Sequence, residues 1–118
     1  MLRGKRVTLR TIRPDELDTV YRHISDINAK GPWWHLDLPS EQAFRREYAD
    51  NGCWGEREGR MLILPNNADD SPFATQFAPV GELIYFRGLD YQAGVEIGYE
   101  IFQAKDYGKG YMTEALRL

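Results

Sequence analysis

Cysteine is almost absent from this 118-residue chain, with a single one at Cys53. One thiol closes no internal disulfide, and no second ligand at zinc-site spacing accompanies it. A disulfide scaffold and a structural zinc site are both excluded, and Cys53 reads as an inert loop thiol rather than a nucleophile. Histidine is scarce too. His23 and His35 have no sequence-local Cys or Asp partner that would argue a catalytic triad. No apolar run approaches the length of a membrane span, and Met1-Leu2-Arg3-Gly4-Lys5 lacks the apolar core of a secretion signal. These absences lead us to expect a soluble, cytoplasmic protein of a reducing compartment, with no membrane partner. There is no excess of positive charge: 15 Lys and Arg stand against 18 Asp and Glu, a formal charge of −3. That balance gives no electrostatic reason to expect nucleic acid.

What is present describes a folded chain. An apolar fraction of 42% with 13% aromatics excludes a disordered one. The length suits one domain with one modest core. Neither an internal repeat nor a composition shift marks a domain boundary. Arg6-Val7-Thr8-Leu9-Arg10 alternates and predicts a half-buried strand. Arg13-Pro14 ends it, and Pro14-Asp15 opens a helix whose apolar stripe is Leu17, Val20, Tyr21, Ile24 and Ile27. Gly31-Pro32 breaks the pattern ahead of Trp33-Trp34-His35. Ser40 caps a second helix that Asn51-Gly52 terminates. Arg60-Met61-Leu62-Ile63-Leu64 reads as a strand buried on both faces. The long loop Pro65 to Pro79 reads as a flexible insertion, an active-site flap being the other reading. Strands follow at Val80–Phe86 and Gly94–Phe102. On the last, Val95, Ile97, Tyr99 and Ile101 share one face, and Glu96, Gly98, Glu100 and Phe102 the other.

The strongest local signal comes next, Lys105-Asp106-Tyr107-Gly108-Lys109-Gly110-Tyr111, between that strand and a helix beginning Tyr-Met-Thr-Glu. Gly108 and Gly110 permit positive φ and close approach of an anion to the backbone. The helix start adds its positive dipole end, and Lys105 and Lys109 add charge. Neither the nucleotide P-loop ending Gly-Lys-Ser/Thr nor the dinucleotide Gly-x-Gly-x-x-Gly is present, since position 113 is Thr. Taken on spacing alone, an ordinary strand-to-helix turn remains the competing reading.

The run from Lys105 to Ala115 closely resembles the pyrophosphate loop of the GNAT superfamily of N-acetyltransferases, Arg/Gln-x-x-Gly-x-Gly/Ala followed by a helix. Val-Glu-Ile-Gly-Tyr before the loop, Gly-Tyr-x-Thr-Glu-Ala after it and the opening Gly4–Arg10 are similar to the RimJ/RimL-like ribosomal-protein branch. One departure is Lys105, where the signature prefers Arg or Gln. The resemblance implies an α/β (α+β) GNAT fold: a mixed, mostly antiparallel sheet with flanking helices, in the order β-α-α-β-β-β-α, as one domain over residues 1–118. It also implies that the chain corresponds to the N-terminal two-thirds of such a domain, cut within the CoA-binding helix, with the edge at Val95–Phe102 left unpaired.

The function implied by this resemblance is transfer of an acetyl group from acetyl-CoA to a primary amine, by direct attack. The amine would belong to a protein N-terminus, an amino acid or a small molecule. A non-catalytic acyl-CoA-binding or interaction module of the same fold is the alternative. Pantetheine would run beside Ile101, Phe102 and Gln103. The diphosphate would sit on Lys105, Asp106, Tyr107, Gly108, Lys109 and Gly110 and on the first helical turn, Tyr111, Met112 and Thr113. Trp33, Trp34 and His35 would line the acceptor pocket, packing and loop cover being their other reading. Glu96 is the first candidate for the general base and Glu100 the second; a solvated or ion-paired strand carboxylate is the competing role for both. No metal is implied, and a homodimer is compatible with the family.

Overall fold

The computed structural model describes residues 1–30, 38–66, 77–88 and 94–118. Trp33, Trp34 and His35 lie outside the described residues, as does most of the loop between Pro65 and Pro79. Five strands form one antiparallel sheet in sequential order. They are β1 (Leu2–Arg3), β2 (Val7–Arg10), β3 (Glu58–Pro65), β4 (Gly81–Arg87) and β5 (Val95–Ile101). Helices α1 (Leu17–Ile24) and α2 (Glu41–Asn51) lie between β2 and β3, and α3 (Tyr111–Arg117) follows β5. The mostly antiparallel α/β arrangement expected from the sequence is therefore present. The short β1 strand is an addition.

Alternation along β3 makes the sheet two-faced. Leu62 and Ile63 are adjacent and both fully buried, on opposite sides. Leu62 packs with Val20 and Ile24 of α1 and Phe44 of α2, while Ile63 packs with Val7, Leu9 and Ala115 of α3. The sheet is thus clad by α1 and α2 on one face and by α3 on the other.

Local chemistry sets the helix ends. Arg13 is extended ahead of Pro14, as a residue preceding proline must be. The Glu16 carboxylate accepts from the Arg13 amide at 2.9 Å and from the Arg10 guanidinium at 2.9 and 2.5 Å. Burial works to raise the Glu16 pKa, but the Arg10 and Arg13 hydrogen bonds and charges hold its carboxyl below the usual range. The Ser40 hydroxyl accepts from the Ala43 amide at 3.1 Å, and Gly52 closes α2 at φ 68°.

The α1 stripe, however, stops at Ile24 rather than reaching Ile27. The Ser25 hydroxyl donates back to the Tyr21 carbonyl at 2.6 Å, and the Asp26 carboxylate accepts from the Asn28 amide at 3.0 Å. Such local bonds compete with helix continuation. They leave Ile27 on a separate 3₁₀ turn, 53% exposed.

Candidate active site

Three pieces meet at the C-terminal end of β5: the turn after α1, the end of the strand itself, and the glycine loop leading into α3. The loop opens with a 3₁₀ turn, Ala104–Asp106, in which the Asp106 amide donates to the Gln103 carbonyl and the Tyr107 amide to the Ala104 carbonyl. Gly108 and Gly110 then take left-handed conformations, φ 71° and 81°, which an L side chain adopts only with strain. Gly110 caps α3 without any side-chain hydrogen bond.

The amides from Gly108 to Thr113 have no hydrogen-bond acceptor among the described residues. They are the donors available to an anion. Asp106 and Tyr107 are corrected in this respect. Their amides are already committed inside the turn, so only their other atoms remain to meet a ligand.

Charge around the loop is richer than the sequence reading allowed. Lys105 is exposed, and Lys109 lies 3.6 Å from the Asp106 carboxylate. Arg6, at the approach to β2, brings its guanidinium 5.1 Å from the Tyr111 ring centroid and beside Gly110. The Arg6 amide also donates to Glu114 at 2.9 Å, which ties α3 to the sheet. No spacing rule links positions 6 and 110. Only the antiparallel pairing that carries β2 past the end of α3 brings them together.

On β5 the candidates separate. Ile101 is partly buried, and Gln103 is exposed. Phe102 is 2% exposed and stacks on His23 at 4.6 Å between centroids, with its amide donating to the Val80 carbonyl. Its side chain is therefore a core element, which leaves the strand backbone beside it as the part a ligand could follow. Burial, followed by the Arg22 charge, pushes the His23 pKa down.

Glu96 is exposed, opposite Phe86. Glu100, on the same face of the strand, is different. It stands directly opposite Glu82, which in turn is opposite Leu62. Both of its oxygens lie 2.6 Å from the Lys30 ammonium. Arg60 pairs with one oxygen of Glu82. Burial pushes the Glu100 carboxyl above its ordinary value, opposed by the Lys30 hydrogen bond and charge and reinforced by Glu82. A cavity of about 280 Å³ opens here, lined by Lys30, Glu100, Ile101, Tyr107 and Met112 among others. The cavity places Glu100 and the glycine loop on one concave surface. Cys53 takes no part: it is fully buried, and burial, then the Glu47 charge, push its thiol up to about 11.

The sequence profile of the acetyltransferase (GNAT) domain matches residues 6–118. The chain belongs to the GNAT acetyltransferase domain family. Solved GNAT structures share its fold. The spermidine N-acetyltransferase of Vibrio cholerae, in complex with CoA and spermine, superposes with a TM-score of 0.68 at 15% identity, over 96% of this chain and 60% of that one. An aminoglycoside acetyltransferase in complex with coenzyme A gives 0.62 at 18% identity, over 94% and 63%. A domain from Methanocaldococcus jannaschii gives 0.62 at 15% identity, over 94% and 68%. This GNAT chain thus spans about 60% of the length of the first of these structures. A comparison with curated proteins finds no match. No helix among the described residues is long and apolar enough to cross a membrane.

Proposed function

We propose that this GNAT domain is the acetyl-CoA-binding part of an N-acetyltransferase acting on a primary amine, of the RimJ/RimL-like kind and cytoplasmic. The observation that carries this reading is the glycine loop. Gly108 and Gly110 adopt left-handed geometry in a run of amides with no acceptor among the described residues, at the end of a strand that pairs, among those residues, with β4 alone. Those amides, with Lys105, Lys109 and Arg6, fit a diphosphate. The pantetheine would follow β5 past Ile101 toward the Glu100 cavity. Acetyl-CoA supplies an activated thioester carbonyl.

The chain's own residues supply orientation and proton transfer. An amine attacks only when neutral, so a base must receive its proton, directly or through water. Of the two strand carboxylates we assign this to Glu100, because it faces the cavity and burial raises its basicity. Glu96 is solvated. A backbone amide of β5 would stabilise the developing oxyanion.

Calorimetry with acetyl-CoA and desulfo-CoA tests the loop: absence of binding by the protein overturns the reading. Thiol release against an amine panel then separates catalysis from binding alone, the behaviour of a non-catalytic module. For Glu100 the expected acidic limb of kcat/KM lies above the ordinary glutamate range, because activity requires the ionised form and the pKa is raised. Glu100→Gln should remove that limb, and Glu96→Gln should leave it in place. The reverse result would move the assignment to Glu96.

A further inference from the structure

A second cavity, of about 560 Å³, lies between α1 and the opening of the glycine loop. Arg22 and Asp26 line it from α1 and the turn that follows, Phe77 from the approach to β4, and Lys105, Asp106 and Tyr111 from the loop and the start of α3. Among the described residues, none that lines it also lines the cavity at Glu100. Its volume is ordinary for a small-molecule site. Arg22 and Lys105 are exposed, and neither side chain has an acceptor among the described residues. The carboxylates are differently placed. Asp106 lies 3.6 Å from the Lys109 ammonium, and one Asp26 oxygen accepts from the Asn28 amide at 3.0 Å. The other Asp26 oxygen suits an amino or hydroxyl donor, and Phe77 and Tyr111 add aromatic surface of the kind on which bases stack. Two cations without acceptors, one open carboxylate oxygen and aromatic walls match a nucleoside phosphate better than an inorganic anion.

We propose that this cavity is a subsite for the nucleotide end of CoA, with Arg22 of α1 holding the 3′-phosphate. This rests on the reading that the glycine loop holds the diphosphate. The diphosphate joins pantetheine to adenosine, so the two ends of the molecule leave the loop from different phosphorus atoms. Pantetheine takes the side of β5 and Glu100. The nucleotide takes the other side, where Lys105 belongs both to the loop and to the cavity wall. A guanidinium meets a phosphate with two parallel N–H bonds, a geometry that an ammonium lacks. Arg22 therefore acts on affinity for the cosubstrate and touches none of the reacting atoms.

Calorimetry of the full chain with CoA and with dephospho-CoA, which lacks only the 3′-phosphate, reads the contact directly. The parent protein should prefer CoA about tenfold, the scale of one charge-assisted contact at a partly exposed site. Arg22→Met should cut that preference to about twofold or less, with the affinity for dephospho-CoA held within about twofold. Arg117→Met removes an exposed cation that does not line the cavity, and it should leave the preference in place. An equal loss there would indicate a diffuse field rather than a site and would overturn the proposal. Should Arg22→Met fail to fold, Arg22→Lys decides, since it keeps the charge and loses the fork; an undiminished preference overturns the subsite. A parent preference under about twofold, or one that survives Arg22→Met, overturns the subsite and leaves the functional reading standing. A parent protein that binds neither compound overturns the functional reading, and this proposal with it.

Discussion

β3 and β5 are similarly apolar runs of eight and seven residues, yet they have opposite surroundings. In β3, Leu62 and Ile63 are fully buried between helices on both faces and paired strands on both sides. In β5, Val95, Ile97 and Tyr99 are 51%, 55% and 59% exposed, and among the described residues only β4 pairs with the strand. Stability and chemistry are therefore divided. The β2–β3 region with α1 and α2 carries the core, while β5 and the loop into α3 carry the candidate ligand contacts. Under-packing is where a ligand can enter, since a site already filled by side chains has no volume to offer.

The largest expected effect tests that division directly. Leu62→Ala removes a fully buried side chain from the α1–α2 face and should cost about 2–5 kcal/mol of unfolding free energy. Chemical denaturation followed by far-UV circular dichroism measures it. A loss under about 1 kcal/mol would mean that β3 is not the structural half. The next effect lies on the other side. Gly110→Val forces a β-branched residue into φ 81°, with its Cβ 3.1 Å from the Arg6 guanidinium. Acetyl-CoA affinity should fall about tenfold or more, while the midpoint shifts by no more than the local strain of about 1–3 kcal/mol. A global collapse comparable with Leu62→Ala would merge the two halves that the comparison separates.

Local signals made the structural half legible. Ser40 as a cap, Gly52 as a terminator and Pro14 at a helix start each act within a few residues, so their spacing is their mechanism. The same applies to the glycine loop, whose left-handed residues could be named from composition. What sequence could not supply is contact between distant positions. Lys30 with Glu100 and Arg6 with Gly110 are products of strand order and antiparallel register, and neither Lys30 nor Arg6 carries any local mark. The β1 strand has too few residues for a period to show. Ile27 was misplaced for another reason: periodicity continued past Ile24, but Ser25 and Asp26 offered the backbone a competing set of hydrogen bonds. Glu96 and Glu100 look equivalent by period, and burial of one alone distinguishes them.

A smaller effect concerns how the structural half is tied to its first helix. Glu16 has its folded-state pKa held below its unfolded value. Its contribution is complete above the unfolded pKa, near 4.5, and is lost as pH falls through the lower folded value. Arg10→Met should therefore flatten the loss of stability on acidification below that point. Parallel acid titrations of parent and variant, followed by tryptophan fluorescence, check this. An unaltered acid midpoint and slope would mean that Arg10 does not set the Glu16 pKa.

The smallest effect is expected on β5 itself, and it sharpens the comparison by its size. Ile97→Lys replaces a side chain that is 55% exposed, so little apolar burial is lost and the unfolding free energy should move by about 0.5 kcal/mol or less. What should change is association. An apolar edge with unpaired backbone groups is a template for another chain, and a lysine on such a strand blocks pairing. Sedimentation at increasing concentration should show the parent protein gaining mass where the variant does not. If instead Ile97→Lys destabilises the fold as strongly as Leu62→Ala, the strand is packed in solution and is part of the core. The asymmetry between β3 and β5 would then have to be given up, together with the open strand edge along which the pantetheine is proposed to run.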